Sequence, residues 1–282
     1  MFEAVIAICA GLAGDICRDQ LVPGYAAADR AACEALLAAR PPDVAADCKP
    51  AGPVLSTEEV APGVFVHMGA VAEPDGANLG DVANLGFVIG QDSVAVIDAG
   101  SAAWVGEALW RAIRAETAKP VSHLILTHHH PDHAFGAGPF ATAGAEIVAP
   151  EGFTRALADR QANYVESLER LIGTQAFLGT RVVPVTQEVG AETRLVLGGR
   201  VLVLQSWPAA HSAADMTVLD VATGTLFAGE LVFDRHTPAL DGRLLGWRAV
   251  LAELAEAKGA RSVPGHGAPS LPWPEGLADT QR

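Results

Sequence analysis

Residues 127–133 read Thr-His-His-His-Pro-Asp-His, so four of the nine histidines in this chain of 282 residues stand in a single run with one carboxylate among them. Val121 to Leu126, immediately before it, is apolar and partly β-branched, the pattern of a buried strand. The histidines therefore fall where a strand gives way to a loop, and a loop can turn several side chains toward one point. Imidazole and carboxylate together are the ligand set of zinc and of similar divalent ions. The run is internal and interrupted by Pro131 and Asp132, unlike a terminal affinity tag. One short loop can offer four ligands only if they divide between two ions. Steric reach then groups His128 with His130, and Asp132 with His133.

The pattern His128-x-His130-x-Asp132-His133 resembles the His-x-His-x-Asp-His motif of the metallo-β-lactamase superfamily. That resemblance implies an α+β fold, the αβ/βα four-layer sandwich, and further ligands later in the chain. His211, just after the apolar run Val201 to Gln205, would complete the first set with His128 and His130. Asp215 would orient a ligand from behind it. His266, between Gly265 and Gly267, would complete the second set with Asp132 and His133, and its glycines permit a turn that aims the ring inward. Glu230 is a departure, because superfamily hydrolases commonly place Asp at this point and one β-lactamase subclass places Cys. Glutamate keeps the charge on a longer arm. It would bridge both metals, bind one, hydrogen-bond a metal water, or simply form a salt bridge at a strand end. Asp98, at the end of the run Val94 to Ile97, either supports a ligand or caps a turn. His67, His123, His129 and His236 are expected not to be ligands.

A net charge of −14 argues against a nucleic-acid partner, since phosphate binding relies on basic patches. No apolar run reaches the roughly 18 residues that span a bilayer. The four cysteines, Cys9, Cys17, Cys33 and Cys48, crowd the first fifth of the chain, with no Cys-x-x-Cys pair. That favours two disulfides and an oxidising compartment, the periplasm or outside the cell. The pairing Cys9–Cys48 with Cys17–Cys33 is one guess among three. Phe2 to Ala13 is apolar but lacks the basic residues of a leader peptide.

Two units are expected. Residues 1–50 form a small cysteine-bearing segment with a strand at Phe2 to Cys9 and a helix from Ala26 to Arg40. It is either a cap on the main domain or a docking module. Residues 54–282 form the main domain. Paired strands surround Pro62-Gly63, and strands are expected at 84–89 and 94–97. A helix follows over 102–118. A strand at 144–149 leads into a helical stretch from Glu151 to Phe177, whose stripe Leu157, Tyr164, Leu168 and Leu171 reads as core before pocket wall. Four strands between 195 and 228, a helix over 247–258 and a last strand at 262–263 complete it. Strands grouped on either side of helices suggest two sheets packed face to face.

The chemistry implied is hydrolysis of a small-molecule carbonyl compound (ester, thioester, lactam or lactone) by hydroxide held between two divalent ions, with two Zn²⁺ per chain and Asp132 orienting the nucleophile. Only a short segment follows His266, so the C-terminal helical domain of glyoxalase II-like thioesterases is not expected. The N-terminal cysteines and Leu244-Leu245-Gly246-Trp247 resemble the zinc metallohydrolases associated with quinoprotein (PQQ) dehydrogenases and, more loosely, the metallohydrolase-like proteins of sulfur oxidation. Two other classes compete: a mononuclear iron persulfide dioxygenase, and a non-catalytic periplasmic accessory or binding protein.

Overall fold

The structure is a computed structural model that describes residues 1–11 and 15–281, so the end of the apolar stretch Phe2 to Ala13 lies outside the described residues. Strands β1 (Phe2–Ala10), β2 (Ile16–Ala27) and β3 (Asp47–Pro50), with helix α1 (Arg30–Ala39), make an antiparallel three-stranded sheet in the order β2-β1-β3. The helix starts four residues later than its alanine content suggests. Asp29 accepts a hydrogen bond from the Ala32 amide and caps it there, while Ala26 and Ala27 still belong to β2. The long strand β2 was not foreseen, since Pro23 and Gly24 interrupt any strand pattern.

The disulfides join Cys9 to Cys17 and Cys33 to Cys48, which corrects the expected pairing. Hairpin register decides it. Cys9 and Cys17 stand directly opposite each other on β1 and β2, 4.1 Å apart at Cα. Cys33 on α1 drops onto Cys48 of β3, both buried beside Ala4.

The main body follows with β4 (Glu58–Ala61), β5 (Val64–His67), β6 (Leu85–Ile89), β7 (Val94–Ile97), α2 (Ala103–Glu116) and β8 (Val121–Ile125). Next come α3 (Pro131–Ala134), α4 (Gly138–Thr142), β9 (Glu146–Pro150), α5 (Phe153–Ile172), α6 (Thr174–Phe177) and β10 (Gln187–Val189). The chain continues through β11 (Glu192–Val196), β12 (Val201–Trp207), β13 (Asp215–Asp220), β14 (Thr225–Phe233), α7 (Leu244–Ala255), β15 (Arg261–His266), β16 (Leu271–Pro272) and α8 (Ala278–Gln281). The single helical stretch expected over 151–177 is divided at Gly173, whose φ of +87° ends α5 and starts α6.

One sheet runs β10-β9-β8-β7-β6-β5-β4, and the other β11-β12-β13-β14-β15-β16. Their facing surfaces share a core in which Val66, Val88 and Ile97 meet Leu204, Met216 and Phe227. Alternation along β7 sends Ala95 and Ile97 into that core and Val94 and Val96 outward, where Leu109, Ile113, Phe140 and Phe153 of the helices cover them. On the far side Leu226 and Ala228 of β14 pack on Trp247, Val250 and Leu254 of α7. The layers are helix, sheet, sheet and helix, the expected αβ/βα sandwich.

The N-terminal sheet sits on α2 through two buried ion pairs, Arg18–Glu107 at 2.7 Å and Arg111–Glu3 at 2.8 Å. Among the described residues no helix is long and apolar enough to cross a membrane.

Candidate metal centre

The histidine run leaves the end of β8, turns, and enters α3 at Pro131, a residue suited to a first helical turn because its missing N–H would be unpaired there anyway. His128 and His130 project from the turn, and Asp132 and His133 from α3. The opposite sheet delivers the remainder: His211 from the loop joining β12 to β13, Glu230 from within β14, and His266 from the end of β15. Neither sheet alone carries the cluster.

Glu230 lies at its centre. Its Oε2 is 2.6 Å from His211 Nε2, 2.8 Å from His130 Nδ1 and 2.9 Å from His128 Nε2. Its Oε1 is 2.7 Å from His266 Nε2 and 3.9 Å from His133 Nε2. Asp132 Oδ2 adds contacts of 3.3 Å to His266 Nε2 and 3.7 Å to His133 Nε2. One carboxylate thus faces three imidazoles with one oxygen and the second group with the other. The backbone is shaped for this. Gly229 takes a φ of +52° at an irregularity in the β14–β15 pairing, which re-aims the next side chain. A Cβ on Gly265 would stand 2.7 Å from Glu230 Cγ.

The donor set fits divalent metal. His128, His130, His211 and Glu230 form one group whose ligand atoms all lie within 4.8 Å of one another, and Asp132, His133, Glu230 and His266 form a second. His211 Nε2 and His130 Nδ1 are 3.2 Å apart, close to the roughly 3.3 Å edge of a tetrahedron with zinc–nitrogen bonds of about 2.05 Å. His133 Nε2 is buried without a hydrogen-bond partner. In water-free surroundings an imidazole lone pair is left in that state only at a cost, which a metal bond would remove.

Three of the outer ring nitrogens are held from behind, an arrangement that with metal bound would turn the lone pairs of His128, His133 and His266 inward. His133 Nδ1 donates to Asp98 Oδ2 at 2.8 Å, and His266 Nδ1 donates to the Val82 carbonyl at 2.9 Å. His128 Nδ1 donates to Thr127 Oγ1 at 3.0 Å, and that hydroxyl donates to Asp98 Oδ2 at 2.9 Å. Asp98 holds a left-handed φ of 59°, unusual for a non-glycine residue, and also accepts from the Thr127 amide. It supports the cluster from behind without entering it. Asp215 is one step further removed than expected: it accepts from the Ser212 amide at 2.9 Å and so orders the loop that carries His211.

Electrostatics follow from this crowding. Burial resists charge on Glu230, but the His211 charge and three imidazole hydrogen bonds hold its carboxyl well below the ordinary range. Asp132 is likewise low, with His133 and His266 overcoming burial. For His130, burial is outweighed by the hydrogen bonds to Asp241 and Glu230, which push it up to about 10. His266 is raised to about 11 against burial by Asp132 and Glu230. His129 is pushed down to about 4 by burial and by His130.

Two contributors escaped sequence reasoning. Asp241, in the loop after β14, lies 3.5 Å from both His129 Nε2 and His130 Nε2 and is held by Arg160 of α5 at 2.5 Å. A lone aspartate in an irregular loop carries no pattern that would have marked it. Thr127 stands at the head of the histidine run, and its residue type alone gave it no role of its own. The α5 stripe divides: Leu157 and Leu168 are core, whereas Tyr164, Leu168 and Leu171 also wall a cleft of about 280 Å³ above the cluster. Burial pushes the Tyr164 hydroxyl up to about 12, so it stays protonated. Among the residues expected not to be ligands, His129 leans to Asp241, and His236 stacks on His266 at 4.8 Å between ring centroids. His67 bonds Asp81, and His123 bonds Ser122.

Comparison with known proteins bears on the same region. No curated protein matches the sequence. The solved structures that resemble it include a metallo-β-lactamase from Pontibacter korlensis, 20% identical at a TM-score of 0.65 over 80% of this chain and 97% of that one. A metallo-β-lactamase from Hirschia baltica is 20% identical at a TM-score of 0.60, over 82% and 97%. The metallo-β-lactamase FIM-1 from Pseudomonas aeruginosa in its mono-zinc form is 19% identical at a TM-score of 0.61, over 82% and 95%. At such identities the likeness speaks for the fold. The sequence model of the Metallo-beta-lactamase superfamily matches residues 79–266, well over half of the chain and inclusive of every side chain in the cluster, and the chain belongs to that superfamily.

Proposed function

We propose that the protein is a metal-dependent hydrolase of carbonyl compounds, holding two zinc ions per chain. His128, His130 and His211 would hold one ion, Asp132, His133 and His266 the other, and Glu230 would span both. The observation that carries this reading is Glu230, one carboxylate with an oxygen toward each imidazole group. Bound divalent metal supplies Lewis acidity, which brings water into the ionisation range of neutral pH and polarises a carbonyl.

The chain's own residues do the remainder. Asp132, ionised and lining the cleft, accepts a hydrogen bond from the attacking water and orients it. His236 and Phe233, stacked on His266, exclude bulk water from one side. Tyr164 walls the other side with a hydroxyl that remains a donor. In the net reaction the acyl bond to the leaving group breaks and a bond to the water oxygen forms. One water proton goes to the leaving group and the other to solvent.

Residues 1–50 act in this reading as a cap on the main domain, residues 54–282; the buried ion pairs to α2 support it. The two disulfides favour an oxidising, extracytoplasmic compartment, in keeping with a periplasmic hydrolase that serves a quinoprotein dehydrogenase system.

Elemental analysis of protein purified without chelator, paired with turnover of p-nitrophenyl esters, tests the proposal. Two zinc per chain with metal-dependent turnover is the expected result. One iron per chain with sulfide-dependent oxygen uptake would assign a persulfide dioxygenase instead. No retained metal after zinc is supplied would leave a non-catalytic accessory protein.

A further inference from the structure

The cleft above the cluster has a charge pattern of its own. Val82, Tyr164, Leu168, Leu171, Phe233 and Ala239 give it apolar walls. The carboxylates that line it are Glu73, Asp132 and Glu230, and among the described residues no lysine or arginine does so. Arg160, at the edge of the cluster, is already held by Asp241 at 2.5 Å. Glu73 stands at the mouth, its side chain 87% exposed and 3.7 Å from His236 Nε2, so the loops before β6 and after β14 meet there. Apolar side chains continue onto the rim: Val71 next to the lining Ala72 is 40% exposed, Leu171 is 43%, and Leu240 next to Ala239 is 51%. The whole chain carries a net charge of −14.

Beyond the cluster's own histidines and the metal they would hold, an anionic group on the body of the substrate would meet no lysine or arginine among the described residues of the cleft, and stripping it of water there is costly. Enzymes that recognise carboxylates place an arginine or lysine at that point. The field of the molecule also repels anions on approach. An uncharged body meets neither penalty and gains by covering the apolar walls. The volume, about 280 Å³, lies just under the roughly 300–1,000 Å³ of sites for drug-sized ligands, so the occupant is small.

We infer that the substrate is a small, uncharged acyl compound with an apolar body, an ester, thioester or lactone without a free carboxylate, and that carboxylate-bearing acyl compounds are selected against. This rests on the hydrolase reading above. It sets the chain apart from an enzyme built for β-lactam antibiotics, which carry a carboxylate beside the reacting ring.

The test is binding, so that it does not depend on turnover. Zinc-loaded protein is titrated calorimetrically with phenylacetohydroxamic acid and with its 4-carboxy derivative, which share a metal-seeking head and differ in one charge. The uncharged probe should bind at least tenfold tighter, and Glu73→Lys should narrow that ratio by about fivefold or more. Equal affinities, a preference for the carboxylate, or failure of both probes to bind zinc-loaded protein would overturn the inference. Intact probe preference without turnover of any ester would sink the hydrolase reading and leave the charge selection of the cleft standing. Protein that takes up no zinc would bring down both.

Discussion

Glu230 is the residue on which the site turns. Its arm lets one oxygen sit among His128, His130 and His211 while the other reaches His266. Glu230→Gln removes the negative charge that both groups share, and bound zinc should fall from two per chain to one or fewer by elemental analysis. Retention of two would exclude a bridging role. Protons occupy the cluster before metal does, since His130 and His266 stand at about 10 and about 11 and are charged at neutral pH. Zinc must displace those protons, so affinity should rise with pH by about tenfold per unit for each proton released, and weaken as pH falls. Calorimetry at pH 7.5 in buffers of different ionisation enthalpy should show about two protons released per loaded chain. Release of less than one would contradict the assigned ligands. Asp98→Ala leaves His133 Nδ1 without its acceptor and should lower zinc affinity by roughly 10–100-fold.

At the level of elements, the N-terminal sheet depends on covalent and ionic ties more than on apolar mass, since among the described residues its own core cluster holds only Ala4, Cys33 and Cys48 as buried members. Closing the loop between Cys33 and Cys48, a separation of 15 residues, is worth roughly 3 kcal/mol in the chain-entropy account. Replacing both by serine should release this unit at lower denaturant than the main sandwich, giving two transitions where wild type gives one. Glu3→Ala removes the bidentate partner of the Arg111 guanidinium, which keeps the Pro53 carbonyl and Glu107 at 3.8 Å, and should cost about 1–3 kcal/mol in chemical denaturation. Elements with strong local patterns were legible: β6 to β8 and α2 follow from apolar periodicity. β2 and the break at Gly173 were not, because pairing with β1 overrides the poor strand propensity of Pro23-Gly24, and a left-handed glycine ends a helix whose apolar spacing continues past it.

For the whole molecule, the proposed metal centre would work as a clamp. His128, His130, Asp132 and His133 come from one sheet, and His211, Glu230 and His266 from the other, so bound metal ties both halves of the sandwich together. Metal at about a thousandfold over its dissociation constant would add roughly 4 kcal/mol of stability. For a chain of this size that corresponds to a rise on the order of 10 °C in the midpoint of thermal unfolding. Scanning calorimetry with zinc and with chelator should show it. Equal midpoints would mean that the cluster is not a metal site spanning both sheets.

The ligand types and their order were determined by the sequence itself, because a His-x-His-x-Asp-His run directly after an apolar strand confines four metal-seeking side chains to one turn whatever the rest of the chain does. The layer order followed as well, since strands apolar on both faces must be covered on both. What only the tertiary structure decided was the geometry between residues far apart in the chain. The two oxygens of Glu230 find their two partner groups only once β14 lies against the histidine turn. Asp241 reaches His130 across 111 positions. The cysteines pair by hairpin register and by helix docking, which no spacing encodes. The cleft owes the absence of lysine and arginine among its described residues to loops that converge in space alone. Local pattern dictates local geometry, whereas contacts between distant segments depend on the summed packing of both sheets, which no window of sequence contains.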